Sequence, residues 1–232
     1  MALTGSGFLA IWHDIKVEGE LEYNNWHTRE HMPERIGVPG FEVARRWVDW
    51  NRDRHRYFTL YEARTIDVFG SEPYRARLNA PSAWSNRVQP HFTNFVRSAC
   101  RTIVSIGKGI GGAIATIRVN LAPDTGKSLF SAKSHALACE ILPLDGVTSV
   151  HIGYADPTVT RVQTRESELR TLTGEDVFDA VVMVDGIGRR ELERAMARID
   201  VLLGAAATGV ASKESAVYDL AYLLTPDRGA QT

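Results

Sequence analysis

The chain has 232 residues, enough for one large domain or two small ones, and its 44% hydrophobic and 24% charged residues are typical of a globular protein. A formal net charge of -1 argues against a nucleic-acid partner and against binding to an anionic membrane. Cys100 and Cys139 are the only cysteines in the sequence, so we expect neither a disulfide framework nor a thiolate zinc cluster, and a reducing compartment is favoured. The N-terminal segment has no basic leader and only a short apolar run, which predicts a cytoplasmic protein.

The first half of the chain predicts the order β-α-β-β-α-β. Runs of β-branched and aromatic residues bounded by turn signals indicate the strands, and strong helix formers indicate the first helix. The predicted strands are residues 7–15, 39–50, 57–63 and 95–106, the first helix is 20–38, and one or two further helices lie within 65–92. Pro33 is expected to kink or end the first helix, because proline lacks the N–H and clashes one turn back.

The second half repeats this order. Its predicted strands are residues 113–122, 146–156, 176–186 and 215–224, and its predicted helices are 126–144 and 189–204. Residues 157–175 are interpreted as a longer hairpin connection. The glycine-rich stretch 107–112 precedes a strand and not a helix, so it is interpreted as a connector and not as a phosphate-binding loop. The sequence therefore predicts two α+β, ferredoxin-like halves, residues 1–106 and 113–232, in tandem.

Two such halves have a physical reason to pair. Each predicted sheet is covered by helices on one face only, so joining the bare faces buries both and forms an α+β barrel within one chain. We expect a space between the two sheets. An open lumen with convergent polar groups would indicate an enzyme, whereas a lumen filled by side chains would indicate a binding module.

His27, Glu30 and His31 have the spacing H-x-x-E-H, which allows three interpretations. The first is a zinc site with both histidines as ligands. It needs a third ligand, for which His13 and Glu62 have no supporting context, so we expect no zinc. The second is an ordinary solvated helix face. The third is a general acid–base site near the barrel mouth, which the neighbouring Trp26 favours because tryptophan is seldom placed on a fully solvated face.

Other polar and aromatic residues are candidates for a ligand site. Arg45 and Arg46 are adjacent on a predicted strand and must face opposite sides of the sheet, and the inward one could bind an anionic oxygen. His151 occupies the position in the second half that matches Arg45. His13 is interpreted as a hydrogen-bonded structural histidine. Alternation on the strands gives further candidates for a pocket lining or a core: Trp12, Asp14, Tyr57, Thr59 and Tyr61.

Several stretches carry a resemblance to a known superfamily. The stretches "GFLAIWHDI", "WHTREHMPERIGVPGFEVARRW", "YFTLYEA", "VTSVHIGYADP" and "TRESELR" resemble the dimeric α+β barrel superfamily, most of all its EthD-type and related bacterial branches. The resemblance implies a tandem fusion of two barrel halves. Superfamily members include polyketide cyclases, lactone isomerases, small oxygenases and haem-linked enzymes, so the resemblance does not select a reaction.

The resulting functional hypothesis is a cofactor-independent enzyme that transfers protons on a small aromatic or lactone compound, by isomerisation, cyclisation or oxygenation. His31 or His27 is the acid–base group and Glu30 orients it. The predicted substrate contacts are Trp12, Asp14, Trp26, Arg45, Arg46, Tyr61 and His151. The alternative is a non-catalytic small-molecule-binding or stress-related oligomeric module, with a homodimer left open. A haem- or metal-dependent enzyme is a lesser alternative, although no C-x-x-C-H haem attachment is present.

Overall fold

The computed structural model describes residues 3–122, 126–160, 163–170, 178–206 and 210–226. Eight antiparallel strands close into a barrel in the order β1-β3-β2-β8-β5-β7-β6-β4. The strands are β1 Gly7–Ile15, β2 Phe41–Val48, β3 Tyr57–Ala63, β4 Phe92–Gly107, β5 Ala113–Leu121, β6 Val147–Ala155, β7 Ala180–Gly186 and β8 Val210–Leu224. The predicted fold class, an intrachain α+β barrel of two ferredoxin-like halves, is confirmed.

The helices lie on the outside of the barrel. They are α1 Glu20–Trp26, which continues through a π-helical turn at His27–His31 into α2 Met32–Ile36, then α3 Glu72–Asn79, α4 Ala83–Val88, α5 Gly126–Ile141, α6 Pro157–Thr160, α7 Arg165–Glu168 and α8 Arg189–Ala206. Short 3₁₀ turns occur at Val17–Gly19, Ile66–Gly70 and Gln89–His91. In the part of the chain that is described, no helix combines the length and the apolar character needed to cross a bilayer.

Two long strands join the halves. Strand β4 has 16 residues and pairs with β1 at one end and with β6 at the other. Strand β8 has 15 residues and pairs with β2 and β5 in the same manner. Because both sheets share these strands, the barrel closes without a free strand edge.

The lumen of the barrel is filled by side chains. The indole N–H of Trp12 on β1 donates to Thr116 Oγ1 on β5, 3.3 Å away and on the opposite wall of the barrel. The ring of Trp12 lies 4.7 Å from that of Phe58 and 5.3 Å from that of Phe178, centroid to centroid. The space expected between the two sheets is therefore a packed core, which is the outcome that the sequence analysis associated with a binding module, so any ligand site of an enzyme must lie elsewhere. Trp12, a predicted substrate contact, is part of this core.

An ionic network closes one end of the lumen. Arg45 Nη2 donates to Glu62 Oε1 at 2.6 Å, and Arg45 Nη1 reaches Asp185 Oδ1 in the second half at 3.3 Å. Asp185 Oδ2 also lies 3.1 Å from His151 Nε2. Arg45 and His151, which the repeat placed in matching positions, thus meet at one buried carboxylate. Burial without partners would be costly for each of these charges, so the network holds the two halves in register.

Candidate active site

The helix that carries His27 and His31 is locally widened. The amide of Met32 donates to the carbonyl of His27, five residues back, which makes one π-helical turn. Pro33 follows immediately and has no amide to return to the carbonyl four residues earlier. The wider turn accommodates the proline, and the helix continues to Ile36. The expectation that Pro33 kinks or ends the helix is corrected by this turn, which belongs to a class that often occurs at functional sites.

A cavity lies beside this turn, between the helices and the outer face of the first sheet. About 50 Å³ of it is open to the centres of water-sized molecules, room for a few waters. Its floor comes from β1, β3 and β4, one wall from the first helices and α3, and its cover from the segment 164–170 of the second half. Its polar lining includes His13, His27, His31, Thr59, Tyr61 and Gln89. Both predicted catalytic histidines thus face a cavity, and their interpretation as a solvated helix face is wrong.

His31 is the least engaged of the three histidines. Among the described residues neither of its ring nitrogens has a hydrogen-bond partner, and Nδ1 is fully buried. The ring packs on Trp26 at 4.2 Å and beside His27 at 5.5 Å between centroids. Burial lowers the pKa of His31 well below its usual 6.5, and the positive charges of Arg35 and Arg170 lower the pKa further. His31 is therefore a neutral imidazole with a free lone pair at neutral pH.

His27 is held by an arginine from the neighbouring strand. Arg46 Nη1 donates to His27 Nδ1 at 3.3 Å, and Arg46 Nη2 donates to Thr28 Oγ1 at 3.1 Å. This hydrogen bond places the proton of neutral His27 on Nε2 and makes that nitrogen a donor. Burial first, and then the Arg46 charge, lower the pKa of His27 well below 6.5. Arg46, predicted to bind substrate, instead fixes the tautomer and position of His27.

His13 combines a structural role with a place in the cavity lining. Its Nδ1 lies 3.4 Å from the Asp14 carbonyl and its Nε2 lies 3.1 Å from the Tyr23 hydroxyl, so both nitrogens have partners. Burial lowers the pKa of His13 to about 3. The sequence interpretation treated His13 as structural and did not place it beside His27 and His31. Strand alternation offered that signal, because His13 must face away from the lumen-facing Trp12.

Two hydroxyl groups of the cavity lack partners. Thr59 Oγ1 and Tyr61 Oη are buried and, like His31 Nδ1, have no hydrogen-bond partner among the described residues. Burial raises the pKa of Tyr61 well above 10, so its hydroxyl stays protonated and can donate. Most buried polar atoms in folded proteins are hydrogen-bonded. Three unpartnered atoms around one cavity therefore indicate a site that is completed by water or by a ligand.

The remaining predicted site residues have structural positions. Glu30 Oε1 accepts from the Trp26 indole N–H at 3.2 Å and from the Ser82 hydroxyl, which holds the start of α4. This carboxylate contacts neither histidine within the described residues, so it has no orienting hydrogen bond to them. Trp26 is fully buried and forms the wall behind His31. Asp14 accepts from the amides of residues 55 and 56 at 2.8 and 2.7 Å and braces the β2–β3 turn.

The cover of the cavity comes from the second half of the chain. Glu166 on α7 forms a buried ion pair with Arg35 on α2. Arg170 donates to Gln89 Oε1 at 2.8 Å, and its guanidinium lies 4.3 Å from the centroid of the Phe95 ring. The sequence interpretation treated this segment as part of a long hairpin connection and, as "TRESELR", as one of the stretches that resemble the superfamily. Neither its excess length nor that resemblance placed it over a site in the first half.

The residues described by the structure contain no group of three or more His, Cys, Asp or Glu side chains placed to hold a metal ion. Among these residues, no third ligand is placed to complete a zinc site with His27 and His31. His27 and His31 instead differ in their partners, one held by Arg46 and the other free. Such an asymmetric pair can supply a hydrogen-bond donor and a proton acceptor side by side.

Comparison with known proteins identifies the fold. No protein-family model and no curated protein sequence matches the chain. Among solved structures, an anthrone oxidase-like protein aligns with a TM-score of 0.65 and 10% identity over 97% of this chain and 95% of that one. Candidate monooxygenases from Fusobacterium nucleatum (TM-score 0.59, 12% identity, 97% and 96% covered) and Lactobacillus acidophilus (0.58, 10%, 95% and 96%) are also similar. The chain therefore has the dimeric α+β barrel fold, with both ferredoxin-like halves supplied by one polypeptide.

Proposed function

We propose that this protein is a cofactor-independent oxygenase of a small phenolic compound, with His31 as the general base. The observation that carries the proposal is His31 itself, a buried neutral imidazole without a partner among the described residues, in a cavity where the Thr59 and Tyr61 hydroxyls are also unpartnered. Such an environment keeps the lone pair of His31 unprotonated at neutral pH, and the substrate anion formed beside the imidazolium offsets the burial that otherwise lowers the pKa of His31. The structures of the same fold include an anthrone oxidase-like protein and a candidate monooxygenase, which agrees with this chemistry.

The proposed reaction starts with proton removal by His31 from a phenolic or enolisable group. The resulting electron-rich anion transfers electrons to O₂ and forms a new C–O bond. One oxygen atom enters the substrate as a carbonyl, and the other leaves as water with two hydrogens from the substrate. His27 Nε2–H and the Tyr61 hydroxyl are the donors available to stabilise the developing oxyanion.

Isomerisation and cyclisation need the same proton transfer but no O₂. A non-catalytic binding module needs the cavity but not the base. Arg46 supports the catalytic proposal over the module, because a hydrogen bond that fixes one tautomer of His27 matters for a reaction and adds little to packing.

The test is oxygen consumption by the purified protein with a panel of phenols and anthrone. We expect turnover that falls by about 10²–10⁴-fold in His31→Ala, the usual contribution of a general base. His135→Ala, at an exposed position on α5, is the matched control and should keep the parent rate. Parent-like turnover in His31→Ala would remove the proposed base. Turnover that persists without O₂ would indicate an isomerase or cyclase, and ligand binding without any turnover would indicate the binding module.

A further inference from the structure

The cavity is lined by more positive than negative side chains. Its charged lining residues are four arginines and a single glutamate, namely Arg35, Arg75, Arg97, Arg170 and Glu166. The three histidines of the lining are neutral because burial lowers the pKa of each. A concave site with such an excess attracts anions and raises their local concentration.

The arginines differ in whether a carboxylate neutralises them. Arg35 contacts Glu34 at 3.2 Å and also pairs with Glu166, and Arg170 lies 3.5 Å from Glu166. Arg97 donates through Nη1 to the carbonyl of Thr160 at 3.1 Å and has no carboxylate partner among the described residues. Arg75, exposed on α3, likewise lacks an ion pair within the described part of the chain. Arg97 therefore has N–H groups available to donate to a ligand, and Arg75 lies nearer the protein surface.

The strand register fixes where Arg97 lies relative to the proposed base site. Arg97 on β4 pairs with Ile11 on β1, Ile11 pairs with Thr59 on β3, and Thr59 pairs with Arg46 on β2. These four residues form one row across the outer face of the sheet. Strands lie about 4.8 Å apart, so the Cα atoms of Arg97 and Thr59 are roughly 10 Å apart. That span is about the length of a single aromatic ring with an acidic substituent, and because the enclosed space holds only a few waters, such a ligand must displace them and extend toward the exposed Arg75.

The floor between these ends is apolar. Ile11 lies between Arg97 and Thr59 in this row, and Phe92 and Phe95 also line the cavity. A flat aromatic body fits such a surface, on which the Arg170 guanidinium already lies 4.3 Å from the centroid of the Phe95 ring. The row thus runs from the Thr59 hydroxyl, across the apolar Ile11, to the Arg97 guanidinium.

We propose that the substrate carries a carboxylate, which Arg97 binds at the cavity rim while the aromatic body extends toward His31. This inference rests on the proposed function for the identity of the reactive end, and on the unneutralised arginines for the carboxylate. The guanidinium fork matches a carboxylate in shape and charge, which makes the hydrogen bonds stronger than those to a neutral ester.

The test compares two single-ring probes, 4-hydroxybenzoate and its methyl ester, in calorimetric titrations of the full chain. The parent protein should bind the acid about tenfold or more tightly than the ester, the usual effect of hydrogen bonds to a charged group. Arg97→Gln should remove this preference and leave ester affinity within about twofold of the parent. Arg101→Gln is the control, because Arg101 lies four residues further along β4 and is already paired with Asp156 at 3.1 Å.

The same titrations separate this inference from the proposed reaction. In His31→Ala the preference for the acid should persist, because the carboxylate is held at the other end of the cavity. Equal affinities of the parent for both probes, or an unchanged preference in Arg97→Gln, would overturn the carboxylate proposal and leave the base untouched. If neither probe binds the parent, both the carboxylate proposal and the phenol site are overturned.

Discussion

The two halves of the barrel have the same topology but cover the outer faces of their sheets differently. In the second half, α5 and α8 lie on a continuous apolar surface, with fully buried contacts such as Ile117, Ile141, Ile152, Leu192 and Ile199. In the first half, the matching layer contains three buried histidines, two unpartnered hydroxyls and a cavity. The helix layer of the second half is therefore a conventional apolar core, whereas that of the first half contains a cavity and buried polar atoms without hydrogen bonds.

This difference shows which part of the molecule supplies stability. A helix layer packed on a sheet buries apolar area, and each large side chain there contributes roughly 1.5–3 kcal/mol. Buried polar atoms without partners oppose folding instead. The filled lumen and the second half can sustain such a site in the first half, and the second half also supplies its cover through Glu166 and Arg170.

Removing a large side chain should affect the two helix layers differently. Leu192→Ala, on α8 and fully buried, should lower the free energy of unfolding by about 3 kcal/mol, because it creates a new void in a filled layer. Leu78→Ala, on α3 at the existing cavity, should cost less than about 1 kcal/mol, because that side chain is only partly buried. Denaturant unfolding of both variants measures the difference. Equal losses would show that the two layers are packed alike.

The pH dependence of stability should reflect the first half. His13, His27 and His31 have pKa values below the 6.5 of an unfolded histidine, so stability is fully present above pH 6.5 and is lost as the pH falls toward the folded pKa. For His13 this window extends from 6.5 to about 3. Between pH 6.5 and its folded pKa, each such histidine lowers the free energy of unfolding by about 1.4 kcal/mol per pH unit.

Unfolding measured between pH 7.5 and 5 tests this prediction. The double variant His27→Gln/His31→Gln should show a shallower decline than the parent, since glutamine does not titrate. The exposed control His135→Gln should follow the parent curve. A parent whose stability does not change between pH 7.5 and 5 would contradict buried, neutral histidines.

The smallest effect distinguishes the cavity from the lumen. Thr59→Val removes a buried hydroxyl that has no partner and should leave stability unchanged or raise it by up to about 1 kcal/mol. Thr116→Val removes the acceptor of the Trp12 indole N–H and should lower stability by about 1–2 kcal/mol. Thermal unfolding of the two variants shows whether each substitution raises or lowers stability. If Thr59→Val is as damaging as Thr116→Val, the Thr59 hydroxyl is bonded in solution and the cavity is smaller than described.

Prediction from sequence was most successful where local pattern and topology agree. Alternation along the strands required Arg45 and Arg46 to face opposite sides, and they do so, one toward the lumen network and the other toward His27. The repeat placed His151 opposite the matching Arg45, and both contact Asp185. The failures concern which face holds a cavity. Trp12 and Arg45 were assigned to a ligand space that the lumen does not provide, because the large side chains of both halves fill it.

The sequence by itself determined the order of elements, the tandem organisation and the inclusion of His27 and His31 in one helical turn, because these follow from short-range periodicity and repeat spacing. Only the tertiary structure decided that Arg46 holds His27, that His31 stays free, and that the connection after β6 covers the cavity. Those relations join residues far apart in the chain, and strand register and barrel closure bring them together. No local pattern encodes whether a sheet face is filled or hollow, because that depends on the summed volumes of side chains from several elements.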